Sequence, residues 1–146
     1  MKDDLKEGKT IIAEYVGQAT RNRLVFCHEP IADLVFTDVG RCLSESLSHE
    51  DLHSSTIAYA AEDALVELMA RELTDATIGQ YLALTNIGIL FEPELGFNVR
   101  NLFERESLGK TLIVCSFGEV KNNRYYFYTE GDGISIDLTG LPFLVM

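Results

Sequence analysis

Two Gly-Lys-Thr triplets are the features of the chain that most directly suggest phosphate chemistry. They lie at residues 8–10 and 109–111 and match the end of the phosphate-binding loop, GxxxxGK[ST]. The earlier glycine of that pattern is missing, because Asp3 and Glu104 stand in its place. The loop should also lie between a strand and a helix, where backbone N–H groups and the helix dipole meet the phosphates. Neither triplet has this context, so we expect neither to bind phosphate.

The residues that end the predicted strands are the next candidates for chemistry. The apolar run 24–27 predicts a strand buried on both faces, and α/β proteins bind ligands outside the carboxyl ends of such strands. A ligand site there would lie near Cys27, His28, Thr85 and Ser116. Neighbouring side chains of a strand point to opposite faces, so Cys27 and His28 are not expected to form a nucleophile pair. The favoured interpretation is a buried Cys27 with His28 in the following loop.

The segment 48–53 and the cysteines offer ligands for a metal ion. His49 and His53 are four residues apart, with Asp51 between them and Cys42 nearby if the chain folds back. Tetrahedral zinc sites usually show tighter paired spacing, so we favour a solvated acidic loop and predict no metal. The three cysteines lack CxxC spacing and are odd in number, which favours reduced thiols over a disulfide framework. In the absence of a complete catalytic motif, we expect neither enzymatic activity nor a cofactor.

A run of aromatic residues near the C-terminus is a candidate interaction surface. Strand alternation places Arg124, Tyr126 and Tyr128 on one face, and directs Tyr125 and Phe127 inward. Aromatic rings beside a cation can stack on nucleic-acid bases, but the surrounding charge is acidic. Because tyrosine is enriched at protein interfaces, we predict that Arg124, Tyr126 and Tyr128 contact a protein.

Hydrophobic periodicity predicts the elements that must position these residues. Helical spacing predicts helices over 5–20, 39–48, 62–73 and 98–108, and continuous apolar runs predict strands over 24–27, 81–85 and 111–115. Residues 56–59 are a weaker strand candidate, and Asp75 is expected to cap a further turn through Ile78. Residues 124–129 and 134–138 flank a Glu-Gly-Asp-Gly turn and predict a hairpin, and the apolar end of the chain should be tied down. The fold class is therefore α/β: a three-layer, mostly parallel sheet flanked by helices, with a C-terminal antiparallel hairpin.

Composition indicates the class of protein and its partners. The 146 residues are 47% hydrophobic and 24% charged, which fits a single α/β domain over residues 1–146 and excludes disordered and collagen-like chains. The net charge is 12 − 23 = −11, so we expect nucleic acid and anionic membranes to be repelled and a basic protein partner to be favoured. No apolar run approaches the ~20 residues that span a bilayer, and the start does not read as a signal peptide. These features predict a cytoplasmic protein.

One segment resembles a known family. Residues 84–95 read Leu-Thr-Asn-Ile-Gly-Ile-Leu-Phe-Glu-Pro-Glu-Leu, which is similar to the Walker B region of BrxF, the small P-loop protein of BREX phage-defence systems. The family reads there roughly as an apolar strand followed by Asp-Asn-apolar-Glu-apolar-Leu-Phe-Asp-Pro. The resemblance continues through 99–108 and 111–115 into the terminal hairpin, and residues 59–69 show a weaker similarity.

The departures from that family decide what the resemblance implies. Thr85 stands where an aspartate would hold Mg²⁺, and Gly88 stands where the family has a glutamate. Residues 27–33 lack the glycines, lysine and Ser/Thr of a phosphate loop, and Glu29 and Asp33 would oppose a triphosphate. The resemblance therefore implies a degenerate P-loop fold that has lost its nucleotide chemistry and retains a role in assembly or regulation.

Three functions follow as hypotheses. The main one is a non-catalytic binding or accessory subunit of a bacterial protein complex, for which the resemblance implies a setting in phage defence. The first alternative is an enzyme or nucleotide binder with a noncanonical site at the strand ends. The second is a homo-oligomeric structural module that uses the tyrosine hairpin and the apolar C-terminus.

Overall fold

A computed structural model describes residues 2–18, 20–48, 56–127 and 135–146. Within these ranges the elements are, in order, α1 (Lys2–Gly17), β1 (Leu24–Cys27), β2 (Phe36–Asp38), α2 (Val39–Ser46), α3 (Ile57–Met69), β3 (Leu73–Asp75), β4 (Gly79–Thr85), two 3₁₀ helices (Ile87–Phe91 and Pro93–Leu95), α4 (Val99–Glu106), β5 (Thr111–Cys115), β6 (Glu119–Lys121), β7 (Arg124–Tyr126), β8 (Ser135–Asp137) and β9 (Leu144–Val145).

The main sheet confirms the predicted α/β class. Its strands lie in the order β2-β4-β5-β1-β9 and are parallel to their neighbours, while β3 pairs antiparallel with the first half of β4. The central strands β4, β5 and β1 carry the continuous apolar runs, as expected for parallel strands covered on both faces. β6, β7 and β8 form a separate antiparallel sheet at the C-terminal side of the chain.

Two hydrophobic clusters cover the two faces of the main sheet. Alternate residues of β1, β4 and β5, beginning with Leu24 and Phe26 in β1, pack with α2, α3, α4 and the small sheet. The intervening residues, including Val25 and Cys27, pack with Ile12 and Tyr15 of α1. This alternation gives the three layers that the strand and helix patterns predict. No helix in the described part of the chain is both long and apolar enough to cross a membrane.

Local capping explains where the helices begin. The side chain of Asp38 accepts a hydrogen bond from the Arg41 backbone N–H at the start of α2, and Asn98 accepts one from the Asn101 N–H at the start of α4. Both are short polar residues of the kind that satisfies the orphan donors of a first helical turn. The predicted helices over 39–48 and 98–108 are thus confirmed, with ends one or two residues shorter.

The predicted strand over 56–59 is wrong. Residues from Ile57 onward belong to α3, because Ile57, Ala61 and Leu65 continue one buried helical stripe. The helix also ends earlier than expected, and Leu73–Asp75 forms the antiparallel edge strand β3. Asp75 does cap a turn by accepting bonds from the Thr77 and Ile78 N–H groups, but the turn connects β3 to β4.

The short strands β2, β3, β6 and β9 were not predicted from the sequence. β9 pairs with β1 through Val25↔Leu144 and Phe26↔Val145, which ties down the apolar end of the chain as expected. The predicted pairing of β7 with β8 is confirmed, and β6 adds a third strand. Asn122 and Asn123 join β6 to β7 with φ of 53° and 58°, the left-handed conformation of a type I′ hairpin turn. The expected Glu-Gly-Asp-Gly turn lies outside the described residues.

Candidate functional site

The carboxyl ends of β1 and β5 meet at the point in the sheet where ligands bind in α/β folds. The chain leaves β1 toward β2 at one side of the sheet and leaves β5 toward β9 at the other side. Divergence of two neighbouring connections opens the crevice used for ligands in this fold class. Here the space is a slot of about 10 Å³, which is about the volume required by one water molecule.

Tyr125 of β7 fills this crevice. Its side chain is 1% exposed, and its ring stacks on Phe26 of β1 with centroids 4.8 Å apart and planes 15° apart. The hydroxyl reaches the turn after β5, where a β-carbon on Gly118 would lie 2.5 Å from Tyr125 Oη. Glycine is therefore required at position 118 for the tyrosine to enter.

The Tyr125 hydroxyl is buried without a strong partner. No atom of the described residues meets hydrogen-bond geometry with Oη. Burial raises the pKa of Tyr125 to about 12, and the Ser116 hydroxyl acts against that shift. The phenol is therefore neutral at physiological pH and is unsuited to act as a base.

His28 and Ser116 converge on the same turn. His28 is exposed, and with Nε2 protonated it donates to the Gly118 carbonyl oxygen at 2.9 Å. Ser116 Oγ accepts a hydrogen bond from the Gly118 N–H at 3.2 Å. Both side chains therefore hold the turn that contacts Tyr125.

Cys27 and Cys115 are register partners on β1 and β5, and both are buried free thiols. Burial raises the pKa of Cys27 to about 12 and also raises the pKa of Cys115. A thiol that stays protonated is a poor nucleophile. The predicted buried Cys27 followed by His28 in a loop is confirmed.

Thr85 lies apart from the other three predicted site residues. It ends β4 and its Oγ1 donates to the Thr37 carbonyl oxygen of β2 at 3.4 Å. The next residue, Asn86, has φ of 52° and donates from Nδ2 to Asp38 Oδ1 at 2.9 Å. The pKa of Asp38 is lowered by its bonds from the Arg41 N–H and Asn86. Three of the four predicted residues thus meet at one turn, whereas Thr85 serves the β2–β4 edge.

The connection after β1 has no helix. Residues 28–35 run directly from β1 to β2, with Ile31 buried and Asp33 at φ of 66°. A phosphate loop presents its backbone N–H groups together with the start of a following helix. In this chain the corresponding face of β1 is covered instead by the small sheet, through Tyr125 and Ile136.

The lysines of the two Gly-Lys-Thr triplets are held in structural contacts. Lys9 Nζ on α1 pairs with Asp75 Oδ2 at 2.7 Å. Lys110 Nζ donates to the Met69 carbonyl oxygen at the end of α3 at 2.7 Å, and pairs with Glu106 at 3.0 Å. Lys110 lies at the amino end of β5, opposite the carboxyl edge where a phosphate loop would lie.

No family model, curated protein or solved structure matches the chain.

The predicted interaction surface and the predicted metal ligands lie only partly within the described residues. Arg124 and Tyr126 are half-buried on β7, and the Arg124 guanidinium contacts Ser135 Oγ, with Nη2 at 2.9 Å. Tyr125 packs inward, as alternation predicted. Phe127 also packs inward, with its ring centroid 4.7 Å from that of Phe91. Tyr128 and the segment with His49, Asp51 and His53 lie outside the described residues. Across the described ranges, no cluster of three or more His, Cys, Asp or Glu side chains is arranged to hold a metal ion.

The sequence did not identify Tyr125 and Gly118 as the residues that fill the crevice. Alternation along residues 124–128 correctly turned Tyr125 inward, but it could not tell which part of the core receives the ring. The Gly118 signal is a glycine soon after a buried strand, a position where close backbone approach is common.

Proposed function

We propose that the protein is a non-catalytic binding subunit of a larger protein complex, built on an α/β domain similar to a P-loop domain that has lost its nucleotide chemistry. The observation that carries the proposal is the Tyr125 ring, which fills the crevice at the carboxyl ends of β1 and β5. A nucleotide would need this space, because a phosphate loop follows the first strand of such a domain.

The positions that resemble the Walker B region support the same proposal. Thr85 Oγ1 donates to the Thr37 carbonyl oxygen of β2. A β-carbon at Gly88 would lie 3.3 Å from Phe127 Cζ, so the site where the BrxF family carries a glutamate is crowded by an aromatic ring. Neither position supplies a carboxylate for Mg²⁺.

Charge indicates the chemistry of the partner. The net charge of −11 repels nucleotides and nucleic acid and attracts basic protein surfaces. The resemblance to the BrxF family points to a bacterial phage-defence complex as the setting. Binding without catalysis is then the role that fits both the filled crevice and the acidic chain.

Thermal unfolding in the presence of nucleotides tests the proposal. A ligand that binds the folded state raises its stability by mass action. We expect the midpoint to be the same with ATP, GTP, ADP or no nucleotide, each with and without Mg²⁺. A Mg²⁺-dependent rise with any nucleotide would contradict the proposal. Repeating the titration with Tyr125→Ala, which empties the crevice, shows whether that side chain is what excludes a nucleotide.

A further inference from the structure

We infer that the outer face of α3 docks a basic, amphipathic segment of a partner protein. The α3 face is defined by Tyr59, Glu62, Asp63, Val66 and Glu67, all of which are exposed. This inference rests on the proposed function, because it names the surface that a binding subunit would use.

The five side chains share one side of the helix. Residues three, four and seven positions apart lie above one another on an α-helix, so Tyr59 and Val66 form a central row with the carboxylates beside it. The opposite side of the same helix is buried through Ile57, Ala61, Leu65 and Leu68. α3 therefore has a complete core stripe and carries additional apolar residues on its solvent side.

The exposure of these two apolar residues exceeds what the fold requires. Tyr59 is 76% exposed and Val66 is 55% exposed. The solvent face of a surface helix is normally charged or polar. Tyrosine is among the residues that contribute most to binding at protein interfaces, because its ring buries a large area at low conformational cost.

A groove continues the α3 face beyond Val66. It has a volume of about 400 Å³ and is lined by residues of α3, of α4 and of the loops that follow them: Val66, Met69, Ala70, Glu72, Arg105, Glu106 and Lys110. Its polar groups are already engaged, since Lys110 pairs with Glu72 and Glu106. The groove can therefore receive an apolar side chain of the partner next to the Tyr59 and Val66 row.

Charge selects the occupant. In the part of the chain that the structure describes, Glu62, Asp63 and Glu67 form no ion pair. A second copy of this chain would bring the same carboxylates together in a symmetric contact, and nucleic acid would be repelled. A segment that presents Lys or Arg around apolar side chains complements both the carboxylates and the central row.

A synthetic amphipathic peptide of Leu and Lys is the probe, with a Leu/Glu peptide as its counterpart. Binding to the full chain is measured by titration calorimetry at low and high salt. We expect the Leu/Lys peptide to bind, to weaken at high salt, and to lose at least about tenfold in affinity in Tyr59→Ala/Val66→Ala. Both positions are exposed in a helix, and alanine has a high helix propensity, so the variant should fold. Circular dichroism verifies this.

Matched charge variants separate a docking surface from the overall charge. Glu62→Gln/Glu67→Gln and Glu14→Gln/Glu119→Gln remove the same number of exposed carboxylates, the second pair from α1 and β6. The inference requires that Glu62→Gln/Glu67→Gln lose clearly more affinity for the Leu/Lys peptide than Glu14→Gln/Glu119→Gln. Equal losses, no binding of the Leu/Lys peptide, or full binding by the Tyr59→Ala/Val66→Ala variant would each overturn it.

The two proposals fail in different ways. Nucleotide-dependent stabilisation would refute the non-catalytic assignment while leaving peptide binding at α3 measurable. If the Leu/Lys peptide does not bind at the α3 face and no nucleotide stabilises the protein, the binding-subunit proposal stands, and its partner must bind at another surface.

Discussion

The two ends of β5 differ in how the chain uses its polar groups. At the amino end, Lys110 joins α3 to α4 through the Met69 carbonyl and Glu106. Beside it, the buried Asn22 donates from Nδ2 to the Glu104 carbonyl at 2.8 Å and to Ser107 Oγ at 2.9 Å. At the carboxyl end, the buried Tyr125 hydroxyl makes no hydrogen bond of good geometry at all to the described residues, whereas at the amino end Asn22 leaves only its Oδ1 unpaired and Thr111 its Oγ1.

Both ends of β5 are thus occupied by structural contacts, of two different kinds. The end that carries a phosphate-like Gly-Lys-Thr triplet is a set of cross-links between helices. The end where α/β folds bind ligands is closed by an aromatic ring and neutral thiols. A motif therefore has to be judged by the edge of the sheet on which it lies.

The largest effect is expected from Gly118→Ala. The new β-carbon would lie 2.6 Å from both Tyr125 Cζ and the Tyr126 carbonyl oxygen, and the backbone oxygen cannot move away cheaply. We expect a loss of about 3 kcal/mol in unfolding free energy, measured by urea denaturation. Gly109→Ala, before β5, is the control, because its β-carbon would meet nothing within 4 Å.

Equal stability of these two variants would break the comparison. It would mean that Tyr125 leaves the crevice at little cost, so that the carboxyl end is open to a ligand after all. The Gly118→Ala protein would then be the form to test for nucleotide binding.

Asn22→Ala should cost about 2 kcal/mol. It removes two hydrogen bonds to buried or partly buried acceptors and leaves the Glu104 carbonyl and Ser107 with fewer partners. Asn101→Ala on the exposed side of α4 is the control, with an expected change within about 0.5 kcal/mol. Denaturation curves of the two variants give the difference, and a similar small change in both would show that the amino-end cross-link adds little stability.

Alkaline pH should lower the free energy of unfolding, chiefly through Cys27 and Tyr125 at the carboxyl end. Burial also raises the pKa of Tyr15, which bonds to Asn22 at the amino end. Burial raises the pKa of Cys27 from 9.0 to about 12 and that of Tyr125 from 10.0 to about 12. Above its ordinary pKa each group loses its proton in the unfolded chain but keeps it in the folded chain. Stability therefore falls by on the order of 1 kcal/mol per pH unit for each group, from about pH 9 for Cys27 and about pH 10 for Tyr125, up to about pH 12.

Urea midpoints across this range measure the slope. Cys27→Val removes one of the groups and should flatten the decline, whatever its effect on packing near neutral pH. An unchanged slope in that variant would show that Cys27 ionises freely in the folded state and that the crevice admits water.

The long elements of the fold follow from local pattern, and the short ones do not. β5 is predicted over its observed residues because a continuous run rich in β-branched side chains favours a strand covered on both faces. β2, β3, β6 and β9 have two or three residues each, and their strand conformation depends on pairing partners that are distant in sequence. Residues 56–59 were misassigned for a different reason: four residues are too few to show a period, and the helix becomes evident only when Ile57 is read together with Ala61 and Leu65.

The candidate site was predictable only as an edge of the sheet. The rule that ligands bind at strand ends correctly brought Cys27, His28 and Ser116 together. It failed for Thr85, because β5 lies between β4 and β1, and Thr85 ends β4 beside Asp38 of β2. The insertion of Tyr125 depends on the path of the small sheet over β1, which no local spacing encodes.

The smallest effect is expected from Tyr125→Phe, which tests the contrast directly. The substitution keeps the ring that stacks on Phe26 and removes a buried hydroxyl that has no good partner, so stability should stay within about 1 kcal/mol of the parent or rise. Asn22→Ala removes a polar group of similar burial at the other end and should cost more. Because the two sites share no partner, the double variant should show additive losses in urea denaturation. A loss above about 2 kcal/mol for Tyr125→Phe alone would mean that the hydroxyl is firmly bonded, with Ser116 as its partner, and that both ends of β5 are held by polar contacts.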